Sequence, residues 1–221
     1  MKDILILIPP SEGKAEGGTQ PPIQLNRDQE FMVNEMEYHK GDMEKLLGVK
    51  DGALEKALAA NKQIRTSKTL PAIERYTGVV YQGLDYASMS AKAKKFCDTH
   101  VRIMSALFGL IKPQDTIPNY KFKIGTLRAT RFWNDRNLIK DTFIVDLLPK
   151  SHQKAVRFEK GTRIEFYMKR FGAKVPAGHN GKLIKGKFIR YLCEQGNVDE
   201  KTLKGFTEDG YKWTGKYYLK E

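Results

Sequence analysis

The sequence predicts a mixed α/β fold, an α+β arrangement in a single domain over residues 1–221. The apolar run Ile4–Ile8 is typical of a strand that is buried on both faces. Helical and strand patterns then follow without the strict alternation of a doubly wound sheet. No repeat, low-complexity tract or Pro/Ser-rich linker divides the chain. We therefore expect a central, mostly mixed sheet with helices around it.

The first half of the chain predicts a loop and four helices after this strand. Prolines and glycines between Pro9 and Pro22 interrupt the apolar pattern and predict the loop. Gly48 is the expected stop of the first helix. Gly83, in "RYTGVVYQGLDY", is expected to be an ordinary turn glycine, and a close approach of the backbone to another segment is the alternative. The predicted helices are Asn26–Leu47, Gly52–Ile64, Ser67–Arg75 and Ser90–Asp98.

The second half predicts further strands and one long helix. Val101–Phe108 is apolar and forms either a strand or a buried helix, whereas Phe143–Leu147 is a second buried strand. Arg163–Met168 alternates between apolar and polar residues, which predicts a strand. A helix is predicted over Leu183–Cys193. Two final strands would form a hairpin, and they are Lys212–Trp213 and Tyr217–Leu219.

The charge is distributed unevenly along the chain. Residues 1–100 hold 14 Lys and Arg against 14 Asp and Glu, whereas residues 101–221 hold 25 against 12, so the net charge of +13 belongs to the second half. A one-sided positive field of this size indicates a polyanionic partner, with nucleic acid first among the candidates. The alternative is a set of lysines that only interact with solvent.

Cysteine usage and the N-terminus favour a cytoplasmic protein. Cys97 and Cys193 lie far apart and outside any C-x-x-C pattern, as expected for reduced thiols in the cytosol. No signal peptide is visible, and Ile4–Ile8 is too short to span a bilayer. We expect a monomer with no membrane partner.

No familiar catalytic constellation or metal site stands in the sequence. It has no G-x-S-x-G elbow. The histidines are too far apart for a local metal site, so we predict no metal and no cofactor. They are His39, His100, His152 and His179.

The loop after the first strand, "PPSEGK", looks like a phosphate-binding loop but does not match its pattern. A Walker loop needs Gly, four residues, Gly-Lys and then Ser or Thr. Here Ile8 stands where the first glycine belongs, and Ala15 follows Lys14. A loop after a buried first strand is nevertheless where α/β proteins commonly bind ligands. Ser11, Glu12 and Lys14 are therefore the candidate catalytic residues if the chain is an enzyme.

The segment "GHNGKLIKGKFIR" predicts an amphipathic helix with a basic face. Asn180 can cap the helix. Lys182, Lys187 and Arg190 share one arc, opposite the apolar residues. Lys185 falls inside the apolar arc, so it either extends to solvent or faces an internal pocket. Cations near a helix N-terminus form an anion site, and the alternative is a surface helix with solubilising lysines.

Two further segments combine basic and aromatic residues. In "VRIMSALFGLIKPQDTIPNYKFKIG" an apolar element ends at Gly109, the chain turns at Lys112, and Lys121 lies between aromatic residues. This arrangement suits nucleotides, and a core strand followed by a surface loop is the equal alternative. "RATRFWND" places Arg128 and Arg131 beside two aromatic residues. They can hold a base or a phosphate, or they are surface arginines beside a core tryptophan.

The order of these segments resembles that of the YaaA family of bacterial proteins. The shared segments cover nearly the whole chain and include "PPSEGK", "YTGVVYQGLDY", "RFWND", "GHNGKLIKGKFIR" and "LKGFTEDGYKW". The resemblance implies a role in the response to peroxide stress and binding to double-stranded DNA. It also implies a single-domain α/β fold with a basic cleft and a helix-hairpin-helix-like element. The cleft would be lined by Ser11, Lys14, the turn 109–113 and the helix Lys182–Arg190.

Two functions remain open from the sequence. The first is a cytoplasmic DNA-binding protein of the oxidative stress response, which contacts phosphates in a basic cleft with little sequence specificity. The alternative is an enzyme or binding module for a nucleotide or nucleobase-like small molecule at the first loop. Glu12 favours the alternative, because a carboxylate is unfavourable in a pure phosphate cleft. The candidate DNA- or anion-binding residues are Lys14, Lys112, Lys121, Arg128, Arg131, Asn180, Lys182, Lys185, Lys187 and Arg190.

Overall fold

A computed structural model describes residues 3–178 and 180–221. Its strands are β1 (Ile4–Ile8), β2 (Leu70–Pro71), β3 (Val101–Ser105), β4 (Gly109–Ile111), β5 (Thr116–Ile117), β6 (Leu138–Asp146), β7 (Arg157–Arg163), β8 (Phe166–Arg170), β9 (Ala173–Pro176), β10 (Tyr211–Trp213) and β11 (Tyr218–Lys220). Its α-helices are α1 (Arg27–Glu37), α2 (Met43–Leu47), α3 (Asp51–Lys62), α4 (Ala72–Arg75), α5 (Val79–Leu84), α6 (Ala91–His100), α7 (Ala129–Arg136), α8 (Lys150–Gln153), α9 (Asn180–Gln195) and α10 (Glu200–Gly205). The mixed α/β prediction is confirmed.

The strand β1 lies at the centre of a five-stranded sheet with the order β4-β3-β1-β6-β7. It pairs in parallel with β3 on one side and with β6 on the other, while β4 is an antiparallel edge strand. Its residues Ile6, Leu7 and Ile8 are fully buried, as expected for a parallel strand covered on both faces. The carboxyl ends of β1, β3 and β6 therefore meet at one edge of the sheet.

A second, four-stranded sheet has the order β10-β11-β8-β9. The predicted final hairpin is confirmed by the antiparallel pairing of β10 with β11. The hydroxyl of Thr214 closes its turn by donating to the carbonyl of Tyr217 at 2.8 Å. The strands β8 and β9 form another hairpin through the two-residue loop Phe171 and Gly172.

One hydrophobic core joins the two sheets and the helices. Between the second sheet and α9 it is aromatic: the Phe166 ring stacks on Tyr218 at 4.9 Å, and Phe188 meets Phe206 edge-on at 5.1 Å. Edge-on and stacked aromatic pairs contribute beyond the area that they bury. Within residues 3–178 and 180–221, no helix is long and apolar enough to cross a membrane.

The helices α5 and α9 cross so closely that two glycines are required at the contact. A Cβ atom on Gly83 would collide with the carbonyl oxygen of Leu183, and one on Gly186 would collide with that of Val80. The expectation that Gly83 is an ordinary turn glycine is therefore wrong. It lies inside α5 and permits the approach of α9.

The predicted helix Asn26–Leu47 is wrong in its continuity, because it forms two helices, α1 and α2. Asn26 caps α1 with its side chain, and Gln29 completes a capping box. Asp42 supplies a second cap by accepting from the backbone of α2. The second cap explains the break. Gly48 ends α2 with a φ of 65°, which confirms the predicted stop.

Two other predicted elements are wrong in part. Ser67–Arg75 is not one helix, because β2 pairs with β5 before the short helix α4 begins. Arg163–Met168 is not one strand, because its two ends belong to different sheets. Arg163 is the last residue of β7 and pairs with Asp146 of the central sheet, whereas Phe166 begins β8. The local alternation is real, but sheet membership depends on distant partners.

The remaining elements match the structure apart from their ends. Val101–Phe108 is the strand β3 followed by a turn, and Phe143–Leu147 overlaps the end of the longer β6. The predicted helices Gly52–Ile64, Ser90–Asp98 and Leu183–Cys193 correspond to α3, α6 and α9. Asn180 is the first residue of α9. His179, which stands before it at the position of a cap, lies outside the described residues.

Candidate functional site

A cavity of about 940 Å³ opens beside the loop that follows β1. Its wall is formed by this loop, by α3 and by the segment 119–121. The chain connects β1 to β3 on one side and β6 to β7 on the other, so the direction of the connections reverses between β1 and β6. Open α/β sheets bind ligands at such a switch point, outside the carboxyl ends of the strands. The first loop predicted from the sequence therefore lies at the expected place for a ligand.

Arg75 fixes the conformation of this loop. Its side chain is fully buried, and its guanidinium donates to the carbonyls of Ala15, of Gly17 at 2.8 Å and of Ile117 at 3.2 Å. In return, the backbone N–H of Ala15 donates to the Arg75 carbonyl at 2.8 Å. A buried cation is tolerated when hydrogen bonds satisfy it, and here its partners are loop carbonyls. Sequence reasoning missed this residue.

Lys14 lies at the inner wall of the cavity, above a pair of buried tyrosines. Its Nζ lies 4.2 Å from the ring centroid of Tyr120 and 5.5 Å from that of Tyr76, and it donates to the Ser11 carbonyl at 3.1 Å. Burial lowers the pKa of Lys14 to about 7, with further lowering by the nearby Lys121. Near neutral pH a large fraction of this amine is therefore uncharged.

The two tyrosine hydroxyls form a closed network beneath Lys14. The Tyr76 and Tyr120 hydroxyls lie 2.7 Å apart, and the Ser105 hydroxyl lies 2.9 Å from that of Tyr120. Burial raises the pKa of Tyr76 and of Tyr120, so both hydroxyls stay protonated. Ser105 is the last residue of β3. The network therefore connects the end of β3 to the loop after β1.

Glu12 and Lys121 form an ion pair at the mouth of the cavity. Their side chains meet at 2.8 Å, with Glu12 78% exposed and Lys121 only 16% exposed. The side-chain hydrogen bond from Lys121 lowers the pKa of Glu12. Asn61 holds the backbone of Lys121 through two hydrogen bonds of 2.8 and 2.9 Å. The structure thus brings Lys121 next to Glu12 and Lys14, and Lys121 lies 109 positions after Glu12 in the sequence.

Ser11 lies in the same loop but faces α5 rather than the centre of the cavity. A Cβ atom on Gly78, at the start of α5, would collide with the Ser11 hydroxyl. The cavity wall includes Glu12 and Lys14 but does not include Ser11 among its described residues. Of the three candidate catalytic residues, two therefore reach the cavity.

The cations of α9 lie elsewhere, and two of them are in ion pairs. Lys187 contacts Asp209 at 3.0 Å, and Arg190 contacts Asp85 at 3.2 Å. Asn180 and Lys182 are exposed. These ion pairs neutralise part of the basic face that the helical pattern predicts. Their acidic partners lie in other segments of the chain, so the helical pattern alone does not predict them.

Lys185 faces the interior, as one of the two alternatives for it predicts. Its amine donates to the Leu147 carbonyl at 3.2 Å, and burial lowers its pKa. The neighbouring Asp146 is buried, which raises its pKa, although it accepts hydrogen bonds from Leu148 and Arg163. This second polar cluster lies where β6 ends.

The remaining candidate cations are exposed on other parts of the surface. They are Lys112, Arg128 and Arg131. The arginine that stacks on an aromatic ring in this region is Arg136, 3.7 Å above Phe132, and it is not among the predicted residues. Trp133 is a core residue whose indole donates to the Ala106 carbonyl at 2.7 Å. The single basic cleft and the helix-hairpin-helix-like element stay predictions.

A feature that the sequence interpretation missed is the tip of the β8–β9 hairpin. Phe171 is 106% exposed there, between basic residues of both strands. The available signal was a phenylalanine before glycine in the basic stretch "KRFGAK". In residues 3–178 and 180–221, no group of His, Cys, Asp and Glu side chains is placed to hold a metal ion.

Comparisons with known proteins identify the family. A family model described as peroxide stress protein YaaA matches residues 4–216. A UPF0246 protein of Corynebacterium glutamicum strain R is 30% identical, and the match covers 86% of this chain and 85% of that protein. A UPF0246 protein of Streptomyces coelicolor is 37% identical over 55% of this chain and 51% of its own length. A UPF0246 protein of Acaryochloris marina is 26% identical, and the match covers 86% of this chain and 84% of that protein. The chain therefore belongs to the peroxide stress protein YaaA family.

Proposed function

We propose that this chain binds double-stranded DNA with little sequence specificity during peroxide stress, and that the β8–β9 hairpin places Phe171 against the base pairs. The observation that carries the proposal is the exposed aromatic ring at the tip of a basic hairpin. Two energetic arguments and the surrounding charge support it.

The conformation of Phe171 is unfavourable for a phenylalanine. The two loop residues have φ values of 49° and 77°, as a type I′ turn requires. Gly172 adopts this conformation freely, but a residue with a Cβ atom loses about 1–2 kcal/mol there. Asn and Asp are the usual non-glycine residues at such positions. The conformation of the turn therefore does not explain why position 171 is a phenylalanine.

The exposure of Phe171 is the second unfavourable feature. A fully exposed ring forgoes the stabilisation of about 1.5–3 kcal/mol that burial of such a side chain provides. Strained residues that the fold does not need are typical of functional sites. A partner that covers the ring would account for both features.

The charges around Phe171 indicate that this partner is anionic. Lys169, Arg170 and Lys174 belong to the same hairpin. Lys169 pairs with Glu221, which is exposed, and such pairs are weak. Proteins that bend DNA combine an apolar wedge between base steps with basic residues on the phosphates. The hairpin has both components.

The salt dependence of binding tests the phosphate contacts. About five contacts give a log–log slope near −4.5, so the affinity falls roughly 500-fold between 50 and 200 mM salt. The exposed cations Lys112, Arg128, Arg131 and Lys182 are available for such contacts in addition to the hairpin. A flat salt response in fluorescence anisotropy with a mixed-sequence duplex would refute DNA binding.

The substitution Phe171→Asn tests the role of the hairpin. Asparagine fits the type I′ turn, so the variant should be at least as stable as the wild type. Loss of aromatic stacking should weaken binding about 5- to 150-fold, from about 1–3 kcal/mol per stacked base. The salt slope should not change, because the cations remain. Phe171→Trp should restore the affinity.

The matched control is Tyr38→Asn. Tyr38 is 77% exposed and belongs to a different element, since it caps the end of α1. Its substitution should leave DNA affinity unchanged. Equal affinities for Phe171→Asn and Tyr38→Asn would refute a role for the hairpin tip.

A second candidate function is binding or conversion of a nucleotide or nucleobase-like small molecule. The cavity at the carboxyl end of β1 favours it, because it combines Lys14, Lys121 and the ring of Tyr120. Calorimetry with nucleoside phosphates would test this function, with Lys121→Ala expected to remove the binding. Absence of heat from every nucleotide would count against it.

A further inference from the structure

The amine of Lys14 is placed unusually for a lysine. Its backbone is held against Tyr76 by an isolated antiparallel bridge. Among the described residues, no carboxylate lies within ion-pair distance of its Nζ, because the adjacent Glu12 pairs with Lys121 instead. The amine therefore contacts one carbonyl and two aromatic rings, and it borders open space in the cavity.

This environment favours the neutral, nucleophilic form of the amine. Burial is the main cause of the low pKa, repulsion by Lys121 adds to it, and Glu12 opposes it. A lysine with a pKa near neutrality attacks carbonyl carbons and forms Schiff bases. The Tyr76 and Tyr120 hydroxyls are already paired with each other, so of these three groups the Lys14 amine is the available nucleophile.

We infer that Lys14 forms a covalent imine with an aldehyde carried by DNA, namely the ring-opened deoxyribose of an abasic site. The choice of substrate rests on the proposed function, whereas the reactivity of the amine does not. An abasic sugar leaves the duplex at a low energetic cost, since no base must be unpaired or unstacked.

The reaction needs no oxidant, reductant or cofactor. The lone pair of Nζ forms a bond to C1′ of the aldehyde as the C=O π bond opens, and the oxygen takes up the proton that the nitrogen loses. The resulting carbinolamine loses water as the C=N bond forms. Addition of water to the imine reverses these steps and returns the free lysine and the aldehyde.

The cavity can accept this substrate by size and by charge. Its volume of about 940 Å³ lies in the range of small-molecule sites. Lys56 and Lys68 line the same cavity and can contact the phosphates on either side of the abasic sugar, while Lys121 is paired with Glu12. Tyr120 offers an aromatic surface next to the amine.

Reductive trapping tests the inference on the wild-type protein. The protein is mixed with a duplex that contains one abasic site, in the presence of sodium cyanoborohydride, which converts an imine into a stable amine. We expect a covalent adduct on a denaturing gel, with the modified peptide containing Lys14. An intact duplex should give none. An adduct on another lysine, or no adduct, would overturn the inference, and this mapping does not depend on the folding of any variant.

Two variants sharpen the result. Lys14→Ala should lose the adduct, whereas Lys204→Ala, which removes an exposed lysine of α10, should retain it. Circular dichroism reports whether both variants fold. Trapping by a folded Lys14→Ala variant at the wild-type level would overturn the inference.

A small aldehyde separates this inference from the proposed function. The sugar 2-deoxyribose 5-phosphate with cyanoborohydride should add once to Lys14, as seen by intact mass and peptide mapping. Trapping of this sugar by a protein that shows no salt-dependent DNA binding would support the amine chemistry and refute the proposed function. Normal DNA binding without either adduct would refute the inference and leave the proposed function standing.

Discussion

Replacement of Arg75 by methionine should destabilise the protein strongly, because three carbonyls lose hydrogen bonds from a buried cation. Arg75 is fully buried and donates to the carbonyls of Ala15, Gly17 and Ile117. Gly17 is exposed, so its carbonyl can bond to water instead. Ile117 is buried, but its carbonyl still accepts from the Leu70 N–H in the β2–β5 ladder. The half-buried Ala15 carbonyl loses its side-chain donor.

The magnitude follows from the unpaired Ala15 carbonyl and from the hydrogen bond that Ile117 loses, since a hydrogen bond from a charged group contributes about 1.5–3 kcal/mol. Each buried acceptor left unpaired costs about 1–3 kcal/mol. Methionine also removes the desolvation penalty of a buried charge, which offsets part of the loss. We therefore expect the free energy of unfolding to fall by about 2–4 kcal/mol. For a chain of this size, this corresponds to a melting temperature lower by about 4–16 °C.

The matched control is Arg65→Met. Arg65 forms more charged contacts than Arg75, with Glu30 at 2.8 Å and Glu37 at 2.6 Å, but its side chain is 35% exposed. Surface ion pairs contribute about 0–1 kcal/mol each, so this variant should lose less stability than Arg75→Met. Urea unfolding followed by tryptophan fluorescence measures both. Equal losses for the two variants would refute the argument from burial.

Two other substitutions test the packing and the ionisation of the site. Gly186→Ala should lower the free energy of unfolding by about 1–3 kcal/mol, because the new methyl group overlaps the carbonyl of Val80. Urea unfolding measures this loss. An unchanged midpoint of the urea transition would contradict the close crossing of α5 and α9. Lys14→Met should change the pH dependence of stability. The folded pKa of about 7 lies below the ordinary value of 10.5, so the unfolded state binds more protons between these values and wild-type stability rises with pH there. The free energy of unfolding of the wild type should therefore rise relative to that of Lys14→Met from about pH 7 to pH 10. Urea unfolding measures both, and a difference that stays constant with pH would contradict the low pKa.

The parts of the fold that the sequence predicts correctly depend on local signals. The apolar run of β1, the amphipathic pattern of α9 and the turn of the final hairpin each involve neighbouring residues. The errors arise where a distant partner decides the structure. Arg163–Met168 alternates like one strand, yet Asp146 fixes its first residue in the central sheet and Tyr218 pairs with Phe166 in the other.

The candidate site shows the same division. The loop after β1 is predictable, because its position follows from strand order. Its chemistry is not, because Glu12 contacts a lysine 109 positions away and Arg75 contacts a loop 60 positions earlier. No local pattern marks Arg75 as buried. Phe171 was missed for another reason, since its positive φ is set by the pairing of β8 with β9.

The role of Glu12 can be tested by one substitution with two opposite consequences. Glu12 neutralises Lys121 at the mouth of the cavity. In Glu12→Gln, Lys121 becomes available for a phosphate, so the log–log salt slope of DNA binding should steepen by about 0.9. The same substitution removes an attraction that raises the pKa of Lys14. The pH midpoint for reductive methylation of Lys14, followed by peptide mass spectrometry, should therefore fall.

Lys121→Met provides the opposing variant. It removes a repulsion that lowers the pKa of Lys14, so the methylation midpoint should rise, and the salt slope should not steepen. A pure phosphate cleft gives a different result, because in it Glu12 only weakens binding and the midpoint of Lys14 does not respond. If the two variants shift the midpoint in the same direction, the electrostatic account of the cavity is wrong. If they shift it in opposite directions while only Glu12→Gln steepens the salt slope, Glu12 controls both the charge offered to DNA and the reactivity of the amine.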